Sequence, residues 1–143
     1  MPACFFRFRF AARSLFIATL LFATEVLIAA YGGSLPWLRG FFGDVLAVML
    51  VYYGLSVLVD ARVLCLALVA LGVGCAIELG QYVALVNHWS IANPVLRIVL
   101  GSTPDWWDVL AYGIGFAMVV VFEWVAPGRT RATQDAVTRR SAY

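Results

Sequence analysis

Four long apolar runs, each interrupted by acidic side chains, set most of what this chain can fold into. Glu25 lies within the first, Asp44 opens the second, Glu78 sits in the third, and Asp105 and Asp108 open the fourth. Each run has the length of a helix that crosses a bilayer core of about 30 Å, for which about 20 residues suffice. A carboxylate there costs at least ~2.5 kcal/mol, so each one needs a partner or a task. If the chain weaves through a bilayer, all five acids fall toward one side, with Arg39, Gln81 and Arg97. Such convergence predicts a site.

Composition closes off the alternatives. The 143 residues are 64% hydrophobic and 13% charged, with a mean hydropathy of +0.92, which excludes a water-soluble domain. The expected fold class is all-α: a polytopic membrane protein of four transmembrane helices within residues 14–126. A basic lead (1–13) precedes them and a disordered basic tail (127–143) follows. Nucleic-acid binding is excluded, because no basic stripe lies on a folded face. One histidine and no CxxC leave neither a metal nor a cofactor to expect. Cys65 and Cys75 are ten residues apart on one predicted helix, about 15 Å along its axis, and cannot pair with each other. Plain apolar packing is the role expected of the cysteines.

The spans are expected at Ser14–Tyr31, Phe41–Val59, Val63 to about Val86, and about Trp106 to Val125. The tight Asp60-Ala61-Arg62 turn permits only an antiparallel hairpin between the second and third. Between the third and fourth, residues 87–103 include Pro94 and a short apolar stretch around Arg97 that lies along the membrane or re-enters it. Thr103 as N-cap and Pro104 at the first helical position signal the start of the fourth helix. A basic lead before an apolar core loosely resembles a signal peptide, but Glu25 inside that core argues against cleavage.

Arginine placement predicts the orientation. Arg7, Arg9, Arg13, Arg62, Arg129, Arg131, Arg139 and Arg140 fall on one side, against Arg39 and Arg97 on the other. The positive-inside rule then puts both termini in the cytoplasm, with Trp37, Trp89, Trp106 and Trp107 as an outer aromatic belt. Glu25, eleven residues into its span, and Glu78, fifteen into its own, both reach the outer half, at about 17 and 22 Å. Asp44 and Asp108 stand within a turn of the outer face. Glu123 is left on the inner side, where it pairs with Arg129 or faces water.

Helix faces narrow the set further. Ala67, Leu71, Gly74, Glu78 and Gln81 recur at steps of three and four and share a face. Gly72, Ala76 and Gly80 form a separate small-residue stripe suited to close packing, and hence to a homodimer. In the fourth span Asp108, Tyr112 and Gly115 share a face, and in the second Asp44, Val48 and Tyr52 do. Plainer roles compete with function at several positions. Asp105 and Asp44 suit helix N-termini, where a carboxylate is stabilised by free N–H groups and the dipole. Structural hydrogen bonds are the alternative for Glu25 and Glu78, and snorkelling to the interface is the alternative for Arg39 and Arg97.

Glu78-Leu79-Gly80-Gln81, the later Arg97, Asp105 to Asp108, and Ala111-Tyr112-Gly113-Ile114-Gly115 resemble the pattern of the VanZ-like membrane proteins. That pattern has an ExxQ helix, a later Arg, and an Asp with a small-residue run opening the last helix. Where VanZ-like patterns commonly carry an Asn near the glycine, Tyr112 stands here. Glu25 and Arg39-Gly40-Phe41-Phe42-Gly43-Asp44 look closer still to a related four-helix bacterial family catalogued only as a domain of unknown function. The resemblance covers roughly residues 14 to 125. It implies a bacterial inner-membrane protein whose prototype is linked to low-level glycopeptide resistance, and it supplies no reaction.

Two functional expectations stand. In the first, an outward pocket takes the anionic headgroup of an envelope lipid, such as a polyprenyl phosphate or lipid-linked precursor. Arg39 and Arg97 hold phosphate through their planar donors; Asp44, Gln81, Asp105 and Tyr112 line the pocket, and Glu25, Glu78 or Asp108 moves a proton. In the second, the acids form the relay of a proton- or cation-linked permease or channel. A structural or assembly role is a third reading, and whether the protein is an enzyme is left open.

Overall fold

A computed structural model of the chain describes residues 7–31, 38–88 and 105–125. Four α-helices run through them: α1 (Ala12–Tyr31), α2 (Gly43–Leu58), α3 (Val63–Val86) and α4 (Trp106–Val125). All four are long and apolar enough to cross a membrane, the second span starting at Gly40. The chain is an all-α, multi-pass membrane protein. The helices α3 and α4 coincide with the expected spans. By contrast α1 begins two residues before Ser14, and Leu38–Phe42 forms a π-helical turn ahead of α2. The segment around Arg97, the Thr103-Pro104 start signal and the basic tail lie outside the described residues.

The hub of the bundle is α2, which packs on α1, α3 and α4, while α3 and α4 also pack on each other. The remaining helix, α1, leans mainly on α2 and the 38–42 turn. Its inward face is Ser14, Ile17, Ala18, Leu21, Glu25 and Ile28, at steps of three and four, and every other residue of α1 is exposed. Thr19 and Thr24 on the outward side return their hydroxyls to the carbonyls of Leu15 and Leu20 at 2.9 Å. These bonds keep a lipid-facing hydroxyl satisfied within its own helix.

The core is built from Val45, Val48, Met49, Tyr52 and Tyr53 of α2, Leu66, Ala67 and Ala70 of α3, and Ala111, Tyr112 and Val119 of α4. The bundle's exterior carries large apolar side chains such as Leu20, Phe22, Leu79 and Phe122, as hydrocarbon surroundings require. Two glycines set the helix spacing. A Cβ on Gly115 would stand 2.6 Å from the Val45 carbonyl oxygen, so α2 and α4 approach there as only glycine permits. A Cβ on Gly74 would stand 3.0 Å from the Tyr112 ring. Gly72, Ala76 and Gly80 instead face outward, and a Cβ on Gly72 or Gly80 would meet nothing within 4 Å.

One end of the bundle has an element that the sequence did not signal. Arg7–Phe8 (β1) pairs antiparallel with Val59–Asp60 (β2), placing Arg7 opposite Asp60. The Arg9 and Ala11 amides donate to the carbonyls of Leu58 and Val57, each at 2.9 Å. The chain before α1 thus satisfies carbonyls that the last turn of α2 leaves open. Arg9 Nη1 stands 3.8 Å from Asp60 Oδ2. Nearby Cys65 is disulfide-bonded to a partner outside the described residues, whereas Cys75 is free and exposed. Plain packing therefore fails as the role of Cys65, because helical spacing excluded only the 65–75 pair.

Candidate functional site

At the opposite end, α2, α3 and α4 each bring a carboxyl group to one place. Asp44 enters from the first turn of α2, where Phe42 at the N-cap makes no side-chain bond and the helix dipole favours an acid. Its carboxyl lies close enough to Asp108 and to Tyr112 to interact with both. Glu78 comes from α3 and is only 7% exposed. The Tyr112 hydroxyl donates to Glu78 Oε1 at 3.3 Å, and the Asp105 backbone N–H donates to Oε2 at 3.2 Å. Glu78 therefore holds α3 to the start of α4 through one side-chain and one main-chain donor. Gly74, one turn before it, makes room for the ring that carries the hydroxyl.

Donor counting constrains this cluster. Ionised carboxylates only accept hydrogen bonds, so a hydrogen bond between Asp44 and Asp108 needs a proton on one of them. Tyr112 carries one hydrogen, which it donates to Glu78 Oε1. Asp108, Asp44 and Glu78 thus gather three carboxyl groups around one hydroxyl. Among the described residues, no three His, Cys, Asp or Glu side chains are placed to hold a metal ion.

The other residues singled out from sequence are placed differently. Asp105 turns its carboxyl back on its own helix, where Oδ1 accepts the Trp107 N–H at 3.1 Å, and its carbonyl accepts the Asp108 N–H at 3.1 Å. It caps α4 and contributes to the cluster through its main chain. Glu25 lies on the inward face of α1, and its Oε1 is buried without a hydrogen-bond partner among the described residues. No described bond joins Glu25 to Asp44, Glu78 or Asp108, because α1 reaches the three-helix core mainly through α2. Gln81 is half-buried, one turn along α3 from Glu78. Arg39 lies in the π-helical turn, five residues before Asp44, and Arg97 lies outside the described residues.

Glu123 is buried, 3% exposed, and its side chain meets that of Tyr53; its expected partner Arg129 lies outside the described residues. The periodicity that linked Asp108, Tyr112 and Gly115 continues through Val119 to Glu123 and would have placed it on the buried face.

The model of a family described as "Protein of unknown function (DUF2809)" matches residues 34–116, more than half of the chain. The chain belongs to this family. The DUF2809 segment contains Asp44, Glu78, Asp108 and Tyr112, together with both space-making glycines, Gly74 and Gly115. Glu25 and Glu123 fall outside it. No curated protein and no solved structure matches the chain.

Proposed function

We propose that this DUF2809 protein binds or processes the anionic headgroup of an envelope lipid at the acidic end of its bundle. The gathering of Asp44, Asp108 and Glu78 around the Tyr112 hydroxyl carries the reading. Carboxyl groups this close can serve as acid and base, and a proton held by one of them lowers the negative charge that a phosphate would meet. Arg39, in the turn that leads to Asp44, and Arg97 supply the phosphate donors. Four arginines at the ladder end, Arg7, Arg9, Arg13 and Arg62, support a cytoplasmic ladder end and an acidic end facing the outside of a bacterial inner membrane. The likeness to VanZ-like proteins belongs to the same proposal and supports an envelope setting.

Native mass spectrometry of the purified protein tests it. A retained polyprenyl phosphate or phospholipid that both Arg39→Ala and Arg97→Ala release is the expected result. Retention by both variants overturns the reading. Glu78→Gln and Asp108→Asn separate chemistry from support: loss of lipid turnover with folded protein retained favours proton transfer, and collapse of both variants favours a structural role.

A proton- or cation-linked permease is the second reading, favoured by the buried Tyr53 and Glu123 near the far end of the α2–α4 seam. Proteoliposome flux that Asp44→Asn abolishes would move the conclusion there. The outward stripe Gly72, Ala76 and Gly80 supplies a homodimer surface in either case.

A further inference from the structure

The ladder end carries a covalent bond whose second half the sequence identifies. The chain has three cysteines, Cys4, Cys65 and Cys75. Cys75 is free and Cys65 is disulfide-bonded, so within one chain only Cys4, outside the described residues, is left to pair with it. The register of the ladder agrees. Arg7 stands opposite Asp60 and Phe8 opposite Val59, so a step back along the lead matches a step forward along the hairpin. Cys4 is three residues before Arg7, a reach of about 10 Å at most. Counted on in the same register, it would come level with Val63, the first residue of α3 and two residues from Cys65. That offset is about 3 Å along the helix axis, which suits the short Cα–Cα distance of a disulfide.

Among the described contacts, little else holds the lead in place. The ladder is two residues long on each side, and Arg9 and Ala11 add one main-chain hydrogen bond each. Phe8 and Phe10 are 93% and 65% exposed, and Arg9 meets Asp60 only at 3.8 Å. A two-stranded pairing without a buried face is marginal by itself. Yet the stretch from Arg9 to Ser14 lines one side of a cavity of about 270 Å³, with Tyr53, Asp60 and Glu123 among the other lining residues. Release of the lead would open that cavity and uncover the Val57 and Leu58 carbonyls. Cys65 is half-buried, so a small disulfide can reach it. We propose that Cys4 and Cys65 form a redox-sensitive clasp that locks the lead across the end of α2. To close it, the thiolate of one cysteine attacks a small disulfide such as oxidised glutathione, and the thiolate of the other then resolves the mixed disulfide. One protein disulfide forms, and the small disulfide leaves as two thiols that take up both protons. A reducing compartment holds the clasp open and an oxidising one holds it closed. The clasp is independent of the headgroup reading at the acidic end.

The full-length protein in detergent is equilibrated with oxidised glutathione or with dithiothreitol, treated with N-ethylmaleimide and freed of reagents. Tryptic cleavage after Arg7 and Arg9 is then followed by mass spectrometry of samples reduced after quenching. At least fivefold slower cleavage is expected in the oxidised protein, and its non-reduced digest should contain a peptide pair joining Cys4 to Cys65. Cys4→Ser should be cleaved at the fast rate in both conditions, and Cys75→Ser should keep the difference. If Cys65→Ser does not fold, Cys4→Ser carries the test, since it changes no residue of the bundle. Equal cleavage of the oxidised and reduced proteins overturns the proposal. So does an oxidised protein in which Cys4 is free, or in which Cys65 is joined to a second copy of the chain.

Discussion

Replacing Gly115 by alanine should loosen the seam between α2 and α4 and open the acidic cluster with it. The new Cβ would stand 2.6 Å from the Val45 carbonyl oxygen and 3.1 Å from Val48 Cβ. The nearer contact is with backbone, so no side chain can turn away to relieve it. Restoring an ordinary separation of 3.4 Å moves the helices apart by about 0.8 Å, and a gap of that order forfeits roughly a quarter to a half of the dispersion energy of facing atoms. Overpacking of this kind costs ~1–3 kcal/mol. Val45 adjoins Asp44, while Tyr112 and Asp108 lie one and two turns before Gly115, so the same movement separates the hydrogen-bonded groups. Gly54→Ala is the control: its Cβ meets nothing, and alanine's helix propensity makes the change neutral or stabilising by up to ~1 kcal/mol. Equilibrium unfolding of both variants in detergent micelles by titration with a denaturing detergent, followed by far-ultraviolet circular dichroism, measures the difference. A Gly115→Ala protein as stable as wild type, or a Gly54→Ala protein destabilised as much, would refute the close-approach reasoning.

Other perturbations test single contacts. Tyr112→Phe removes the donor to Glu78 Oε1 and should destabilise by about 1–3 kcal/mol, because the carboxylate stays buried with one oxygen unsatisfied; the same micelle titration reads it. Asp105→Ala should cost ~1 kcal/mol as a lost cap while the main-chain bond to Glu78 persists, so lipid retention should survive. Arg9→Ala should change stability by less than about 1 kcal/mol, since its pair with Asp60 is long and solvent-exposed on the arginine side. The Cys65 disulfide and the proposed cytoplasmic ladder end oppose each other, because a reducing cytoplasm keeps thiols reduced. In acid-quenched cells treated with a polyethylene-glycol maleimide, a gel shift from Cys65 without reductant supports the proposed orientation, and one that needs reductant reverses it.

Much of the frame was legible from sequence because it depends on local quantities. Apolar length marked the spans of α3 and α4 at their observed bounds, and the 3.6-residue period put Glu78 with Gly74, and Asp108 with Tyr112 and Gly115, on inward faces. The assembly of Asp44, Glu78, Asp108 and Tyr112 was legible for the same reason, since antiparallel spans bring matching depths together. Glu25 has the right depth and still stands apart, because depth along an axis says nothing about which helix is the neighbour. Asp105 was ambiguous in sequence: a carboxylate at a helix start can cap or project, and only the Trp107 N–H at 3.1 Å decides between them.

The sequence by itself therefore determined four membrane-crossing helices, their inward faces and the end at which acids gather, since length, hydropathy and period are written residue by residue. The tertiary structure alone decided that α2 is the hub, that β1 closes on β2, that Glu25 lies off the cluster, and that Glu123 is buried beside a cavity. Each of these depends on which surfaces meet, and four helices apolar on nearly every side carry little in their sequence to choose among partners. The choice falls to close contacts between distant residues, such as Gly115 against Val45 and Gly74 against Tyr112.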